Sequence, residues 1–464
     1  MTGSWLHQHT HRLTTFAART YYQVTVAGSD VPRSGPVLLV ANHPNSLLDP
    51  ALVAVAAGRP VRWLARAGLF EQRSIGWLVR GSGAIPVYRR TDAPQGEGGT
   101  DLAARNRQMF SAARDAIVGG DAVGIFPEGL SHSAPSLAPL KTGAARIALG
   151  AAREGAGDFP ILPVGLTFRG GKERFRSEAL LLVGRPIRWD DLADQGEDAP
   201  EAVRELTRRI HEGLARVTVN LESWDDFPLV EGAEAIHHAE YGRGRSSNPV
   251  RWLARMRRTA QILETTRKQG HPEQEELAED ILRHTRILDS VGLEPRDLHE
   301  VPKASVAIRW TLKNLLFFGV AAPLALLGAI VFYLPYLLVG WAEPRYELPP
   351  DKQATYKVLG GAAACGGWIL LLAAILRELY GWQPAMIALI VLPILGIMTL
   401  AIRDRWQTAA SDLRRMLVLK RRKDLRYRLL ERQAELAERI RRLRVRMDGA
   451  GKVARGRPRA PRER

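Results

Sequence analysis

Three long apolar runs in the last third of the chain constrain its fold more than any other feature. They are Leu315–Val339, Val358–Leu376 and Pro384–Ile402. At about 1.5 Å of rise per residue, runs of this length approach or exceed the ~30 Å of a hydrocarbon layer. The sequence therefore predicts a transmembrane region, bounded at 303–405, rather than a buried helix pair in a large soluble protein.

Positive charge is concentrated around this region. Residues 403–464 carry 22 basic and 8 acidic side chains, which is most of the net charge of +17. Because Lys and Arg beside membrane segments favour the cytoplasmic side, both flanks are expected on that side, and the number of crossings is expected to be even. We expect two crossings, or four if Pro323 and Pro335 break the first run into a re-entrant hairpin.

The segment after the membrane region, 406–464, combines this charge with a helical apolar pattern. Leucine, isoleucine and methionine recur at three- and four-residue spacing over Asp412–Met447, which predicts a basic amphipathic helix followed by a disordered tail. Such a helix suits an anionic lipid surface or a partner helix. No nucleic-acid partner is expected, since the first 402 residues are nearly neutral.

The chain before residue 303 alternates strand-like and helix-like segments, which predicts an α/β domain with a largely parallel sheet core. We place this domain at 31–199, after a membrane-proximal helix and first strand in 1–30 and before a helical region at 200–302. Predicted strands are Gln23–Val26, Pro36–Ala41, Ala84–Val87, Ala122–Phe126, Ile161–Phe168 and Ala179–Val183. Predicted helices are Ser46–Ala57, Asp101–Val118 and Thr142–Arg153. The single cysteine, Cys365, excludes a disulfide framework and a thiolate-clustered metal site.

A histidine follows the second predicted strand, at the edge where α/β sheets bind ligands. His43 is suited to general-base chemistry, and Asp49 is placed to orient it. An alternative interpretation is that Ser46 and Asp49 form a capping box at the start of a helix.

Two further strand ends carry polar side chains. Arg89 and Arg90 follow one strand, and arginine forks match phosphate oxygens. After another, Pro127 and Gly129 bracket Glu128 in a turn that aims its side chain. Lys141 lies just before a predicted helix whose amides suit an anion.

Together these segments resemble the glycerol-phosphate and lysophospholipid acyltransferase family. The family's signatures are an Asn-His with a following Asp, a Gly-x-Ile-Pro-x-x-Arg strand, a Phe-Pro-Glu-Gly turn and an apolar strand around a proline. They correspond here to Asn42, His43 and Asp49, to Gly83–Arg89, to Phe126–Gly129 with Ser131 after it, and to Pro163. Five residues, not the usual four, separate His43 from Asp49. The pattern is most similar to the branch of fungal-type glycerol-3-phosphate and dihydroxyacetone-phosphate acyltransferases.

The resemblance implies a role for each site residue. His43, oriented by Asp49, takes a proton from the acceptor hydroxyl. Arg89 holds the acceptor phosphate, with Arg90 and Lys141 as secondary candidates, and Glu128, Gly129 and Ser131 position the acceptor. No metal or resident cofactor is expected, because acyl-CoA or acyl carrier protein brings the acyl group as a thioester co-substrate.

The function implied is a membrane-bound O-acyltransferase of phospholipid synthesis that acts on glycerol 3-phosphate or 1-acylglycerol 3-phosphate. Expected partners are membrane lipids, the thioester donor and the phosphorylated glycerol acceptor. The expected location is a bacterial inner membrane with the catalytic domain on the cytoplasmic face. The alternative is a catalytically inactive, membrane-tethered lipid-binding or scaffold protein on the same fold.

Overall fold

The computed structural model describes residues 3–88, 99–242, 248–269, 272–299, 304–342 and 349–455. These residues form two compact units. Among the described residues, the first unit contains 3–221, 248–257 and 349–358. The last two segments each include the beginning of a helix. The second unit contains most of the remaining helices.

A seven-stranded mixed sheet forms the centre of the first unit. The strands are β1 (Gln23–Gly28), β2 (Val37–Ala41), β3 (Arg62–Arg66), β4 (Ile85–Val87), β5 (Ala122–Ile125), β6 (Ile161–Arg169) and β7 (Glu178–Val183). Their spatial order is β1-β7-β6-β2-β5-β3-β4, and every pair is parallel except β6 with β7. The predicted α/β class with a largely parallel sheet is therefore confirmed.

Helices cover both faces of this sheet. They are α1 (Gly3–Tyr21), α2 (Leu48–Ala57), α3 (Gly68–Glu71), α4 (Gly76–Gly81), α5 (Gly99–Val118), α6 (Gly143–Ala151) and α7 (Pro200–Val217). Strand β2 is buried along its whole length. Because successive strand side chains point to opposite faces, Leu38 and Val40 pack in one core cluster, whereas Val37 and Leu39 pack in the other. A central strand buried on both faces explains the continuous apolar run in the sequence.

The second unit has a helical core outside the apolar spans. It is built from α8 (Asp226–Tyr241), most of α9 (Pro249–Gln269), α10 (Pro272–Val291) and α14 (Lys423–Arg455). Leu436 and Ile440 of α14 are buried against Leu229 of α8 and Leu277 of α10. The apolar face of the predicted amphipathic helix thus packs on partner helices of its own chain. A break at Arg422 divides that predicted helix into the end of the preceding helix and α14.

Three helices of the described residues are long and apolar enough to cross a membrane. They are α11 (Ala304–Ala342), α12 (Gln353–Tyr380) and α13 (Trp382–Arg421). The alternative of a re-entrant hairpin in the first run is wrong, because α11 continues through Pro323 and Pro335. Its prolines remain inside one helix, as happens where surrounding groups satisfy the freed backbone carbonyls.

Helices α11 and α13 pack against each other in antiparallel orientation. Phe318 contacts Trp406 at a ring-centroid distance of 5.1 Å, and further along α11 Phe332 contacts Gly396, which is earlier in α13. The polar flanks of these two helices therefore lie at the same end of the pair. This is the arrangement that an even number of crossings requires, and the number of crossings itself stays a prediction.

Candidate active site

The loop between β2 and α2 brings His43 and Asp49 into contact. His43 Nδ1 lies 2.9 Å from Asp49 Oδ2, and the two side chains are 18% and 0% exposed respectively. Because the buried carboxylate faces Nδ1, that nitrogen carries the proton and Nε2 has the free lone pair. No hydrogen bond to Nε2 is present among the described residues, so Nε2 is available to a bound hydroxyl.

The Asp49 carboxylate forms hydrogen bonds with residues of this loop and does not cap the helix. Its Oδ2 also accepts the backbone N–H of Asn45 at 2.7 Å. The Ser46 N–H, which a capping box would direct to Asp49, is instead donated to Ser131 Oγ at 3.0 Å. The capping-box interpretation is therefore wrong, and α2 begins at Leu48 with no side-chain cap. Ser46 takes a left-handed conformation (φ 49°), which accommodates the longer spacer between His43 and Asp49.

Burial controls the charge of this carboxyl group. Complete burial raises the pKa of Asp49, and the hydrogen bond and charge of His43 and the Asn45 N–H act in the opposite direction. The second oxygen, Oδ1, has no hydrogen-bond partner among the described residues. A buried carboxylate with one free oxygen gains strongly from a positive charge nearby.

An aromatic stack fixes the plane of the His43 ring. Phe126 lies parallel to the imidazole at a centroid distance of 3.9 Å and an interplanar angle of 9°. Trp63 of β3 stacks on the other side of Phe126 at 4.8 Å and 13°. Gly124 leaves room for the indole, since a Cβ there would lie 2.6 Å from it. The ring of His43 is thus oriented by two contacts, one to Asp49 at its edge and one to Phe126 at its face.

Glu128 holds the same loop from the neighbouring strand end. It is 2% exposed. Its Oε1 accepts the backbone N–H of His43 at 3.0 Å, and its Oε2 accepts the N–H of Ala138 at 2.7 Å and contacts His132 Nε2 at 2.5 Å. Since His132 Nδ1 accepts the Ala134 N–H, its Nε2 carries the hydrogen that is donated to Glu128. Both carboxylate oxygens of Glu128 thus have partners within the protein, and the contact of Glu128 with the acceptor stays a prediction.

Of the other predicted site residues, three lie within the described residues and two do not. Gly129 has a positive φ of 73° and lies next to the Lys141 side chain. A Cβ atom at position 129 would lie 2.7 to 2.8 Å from Cδ, Cε and Nζ of Lys141. The turn therefore favours glycine for its backbone conformation, since the exposed Lys141 side chain could move away from a Cβ. Ser131 anchors the Ser46 amide as described above, and Lys141 is exposed. Arg89 and Arg90 lie outside the described residues.

Further residues support the site. Asn42, the first residue of the Asn-His signature, forms two hydrogen bonds with the backbone of Leu166 in β6, at 3.1 and 2.8 Å, and thereby ties the loop to the adjacent strand. Tyr22 and Lys172 contact the loop, and Trp63 contacts Phe126, from distant parts of the chain without a sequence signal. His132, three residues after Gly129, could have been found from its position. No cluster of three or more His, Cys, Asp or Glu suited to a metal ion occurs within the described ranges.

This fold and site define a class. Residues 23–167 match the family model described as Acyltransferase. The matched segment contains β1 to β5, most of β6, the His43–Asp49 loop and the Glu128 turn. The predicted resemblance to acyltransferases is confirmed in this domain.

Curated relatives are fungal. The chain is 28% identical over 281 residues to glycerol-3-phosphate O-acyltransferase 2 of Saccharomyces cerevisiae, covering 59% of this chain and 37% of the relative. It is 28% identical over 261 residues to glycerol-3-phosphate O-acyltransferase 1 of the same yeast, covering 52% and 33%. The chain thus spans less than half the length of these relatives. They confirm the expected similarity to the fungal-type branch.

Among solved structures, the chain is similar to the 1-acyl-sn-glycerophosphate acyltransferase of Thermotoga maritima. The sequence identity is 18% and the TM-score is 0.32, with 44% of this chain and 76% of that chain covered. We draw no argument from this similarity.

Proposed function

We propose that this protein is a membrane-bound O-acyltransferase that moves a fatty acyl group from a thioester to a hydroxyl of a glycerol-phosphate-type acceptor. The contact between His43 and the buried Asp49 carries this proposal, because it leaves Nε2 free at the carboxyl ends of β2 and β5. The match of residues 23–167 to the Acyltransferase family model and the names of the yeast relatives support the reaction class and the acceptor class.

In the proposed mechanism the acceptor hydroxyl lies against His43 Nε2. The imidazole takes the hydroxyl proton while the oxygen attacks the thioester carbonyl, and the new C–O bond forms. Asp49 stabilises the resulting imidazolium through its 2.9 Å contact with Nδ1. The tetrahedral intermediate then breaks its C–S bond, and the imidazolium returns the proton to the leaving thiolate. No covalent acyl-enzyme is involved.

Acceptor recognition is proposed to depend on basic side chains near the ends of β4 and β5. Arg89 is the first candidate for the phosphate, since its guanidinium fork can bind two phosphate oxygens. Arg90 and the exposed Lys141 are secondary candidates, with Gly129 and Ser131 shaping the turn beside them. The donor is proposed to be acyl-CoA or acyl carrier protein.

The three apolar helices support attachment to a membrane, where an acylated product would be released. We propose that the catalytic domain faces the cytoplasm, because the basic flanks of the apolar region favour that side. The fungal origin of the named relatives gives no support to a bacterial inner membrane and favours a eukaryotic one.

An acceptor panel tests the proposal directly. Purified protein in detergent is offered glycerol 3-phosphate, dihydroxyacetone phosphate and 1-acylglycerol 3-phosphate with labelled acyl-CoA or acyl carrier protein. We expect one acceptor to be acylated much faster than the others, with the product identified by mass. If no acceptor is acylated with either donor, the alternative of an inactive lipid-binding or scaffold protein is favoured.

A further inference from the structure

A half-buried lysine outside all four sequence motifs contacts the loop that carries His43 and Asp49. Lys172, in the connection between β6 and β7, donates from Nζ to the backbone carbonyl of Pro44 and to Ser133 Oγ at 2.7 Å. Pro44 is the residue directly after His43, and Ser133 lies in the loop after the Glu128 turn. One ammonium group therefore joins the two loops that build the site.

The backbone around Lys172 is itself held in place by three side chains. The Tyr22 hydroxyl donates to the Lys172 carbonyl, and the Tyr21 hydroxyl donates to the Glu173 carbonyl at 2.7 Å. Lys357, near the start of α12, donates to the same Glu173 carbonyl at 2.9 Å. Ala354 of that first helical turn is fully buried in the core of the catalytic unit. Because its backbone is already fixed in this way, Lys172 can hold a partner loop without further ordering of its own backbone.

The hydrogen bonds of Tyr22 extend this support through Asn45 toward Asp49, at the other end of the loop. Asn45 Nδ2 donates to the Tyr22 hydroxyl at 2.5 Å, while the Asn45 backbone N–H binds Asp49. Tyr22 is fully buried, so this connection has no competition from bulk solvent. The segment from Pro44 to Asp49 is thus held at Pro44 by Lys172 and at Asn45 by Tyr22.

Electrostatics give Lys172 a second effect on the site. Burial lowers the pKa of its ammonium, whereas the charges of Asp49, Asp351 and Glu173 act in the opposite direction. In return, the charge of Lys172 is among the influences that lower the pKa of Asp49 against the effect of burial. A positive charge near a fully buried carboxylate offsets part of the cost of keeping it ionised.

We propose that Lys172 is a positioning residue for acyl transfer, which holds the His43–Asp49 loop through its contacts with Pro44 and Ser133. This inference rests on the proposed function of the same site. It assigns Lys172 no contact with the acceptor phosphate, which distinguishes it from Arg89 and Lys141. The effect of losing Lys172 is therefore expected on the rate of the chemical step rather than on acceptor binding.

Kinetics of Lys172→Met in the full-length protein test this distinction. We expect kcat to fall about 10- to 100-fold, because displacements near 1 Å in an active site cost factors of this size, with the acceptor KM within about twofold of wild type. Arg174→Met is the matched control. It removes a cation from the same connection, but Arg174 is exposed, and within the described residues its side chain donates a hydrogen bond only to the local Gly170 carbonyl. Its kinetics should equal those of wild type. A large rise in acceptor KM for Lys172→Met with unchanged kcat would identify a phosphate ligand and overturn the proposal.

A second variant and an activity-independent readout complete the test. Ser133→Ala removes one partner of Lys172, and its cost should not add to that of Lys172→Met, since both act through one contact. Full additivity of the two costs would contradict the proposal.

Modification of His43 by diethyl pyrocarbonate, followed by mass spectrometry, should be faster in Lys172→Met than in wild type, with His9 on the exposed face of α1 as internal reference. If wild type transfers no acyl group, the proposed function fails. Independently of that result, equal labelling rates of His43 in Lys172→Met and wild type would show that Lys172 does not hold the loop.

Discussion

Glu128 Oε1 accepts the backbone N–H of His43 at 3.0 Å, across 85 residues of sequence. This contact joins the ends of two adjacent parallel strands, β2 and β5, so that the glutamate of one signature holds the histidine of another. The two motifs are therefore joined into one structural element, and we expect the carboxylate to contribute to the site by holding the backbone of His43.

Glu128→Gln tests this positioning role. An amide retains one acceptor oxygen but presents an NH2 group to the donors of His132 or Ala138, which leaves a buried donor unpaired at a cost of about 1–3 kcal/mol. We expect kcat to fall at least 10-fold with little change in the acceptor KM, together with a lower melting temperature. Steady-state kinetics and thermal unfolding measure both. A rise in KM alone would instead place Glu128 in contact with the acceptor.

Asp49→Asn tests the partner of the histidine. The asparagine side chain can direct its NH2 group toward Nδ1, which favours the tautomer with Nε2 protonated and unable to accept a proton. We expect kcat to fall about 10²- to 10⁴-fold, the range associated with general-base catalysis. The acceptor KM and the melting temperature serve as controls for folding. Activity close to wild type would mean that His43 does not depend on this carboxylate.

Arg89→Met and Arg90→Met separate the two candidate phosphate ligands. We expect Arg89→Met to raise the acceptor KM at least 10-fold, because hydrogen bonds to charged groups are worth about 1.5–3 kcal/mol. Arg90→Met should have the smaller effect. Initial rates at varied acceptor concentration measure both constants, and equal KM values for wild type and Arg89→Met would remove Arg89 from the phosphate site.

The helical core of the second unit gives a prediction for stability. Leu436 of α14 is fully buried between α8 and α10, so Leu436→Ala should lower the free energy of unfolding by about 2–5 kcal/mol. Val445→Ala on the same helix is the control, since Val445 is 61% exposed and its loss should cost less than about 0.5 kcal/mol. Melting temperatures compare the two. Equal temperatures would show that α14 does not pack on these helices.

A buried histidine makes the same core sensitive to acid. Burial lowers the pKa of His284 below its usual 6.5, so the unfolded chain binds a proton before the folded one does. Its contribution to stability is thus present above pH 6.5 and is lost as the pH falls through the lower, folded-state pKa. Thermal unfolding of wild type should show a larger decrease between pH 7.5 and pH 5 than that of His284→Gln. An identical pH dependence in both proteins would rule out this source.

Much of the catalytic fold was predictable from local pattern. All six predicted strands are present, because apolar runs bounded by polar or glycine residues reflect burial directly. Strand β3 was missed, since Arg62 and Arg66 at its ends hide a short buried segment around Trp63. The order of the strands was not predictable, because it depends on pairing between residues far apart in sequence.

The site was predictable only where it is encoded in motifs. The pairing of His43 with Asp49 follows from local spacing, but the competing capping box could be rejected only when Ser131 was seen to bind the Ser46 amide. Lys172 and Tyr22 were missed because their contacts with the loop span 128 and 23 residues and follow no pattern. Long-range hydrogen bonds of this kind depend on the tertiary fold.

The most direct test of the central claim is the initial rate of acyl transfer by purified His43→Ala, with wild type prepared in parallel. The wild-type protein should acylate a glycerol-phosphate-type acceptor, and His43→Ala should lose at least about 10²-fold of that rate while retaining the wild-type melting temperature. Turnover by His43→Ala within a few-fold of wild type would contradict the assignment of His43 as the general base.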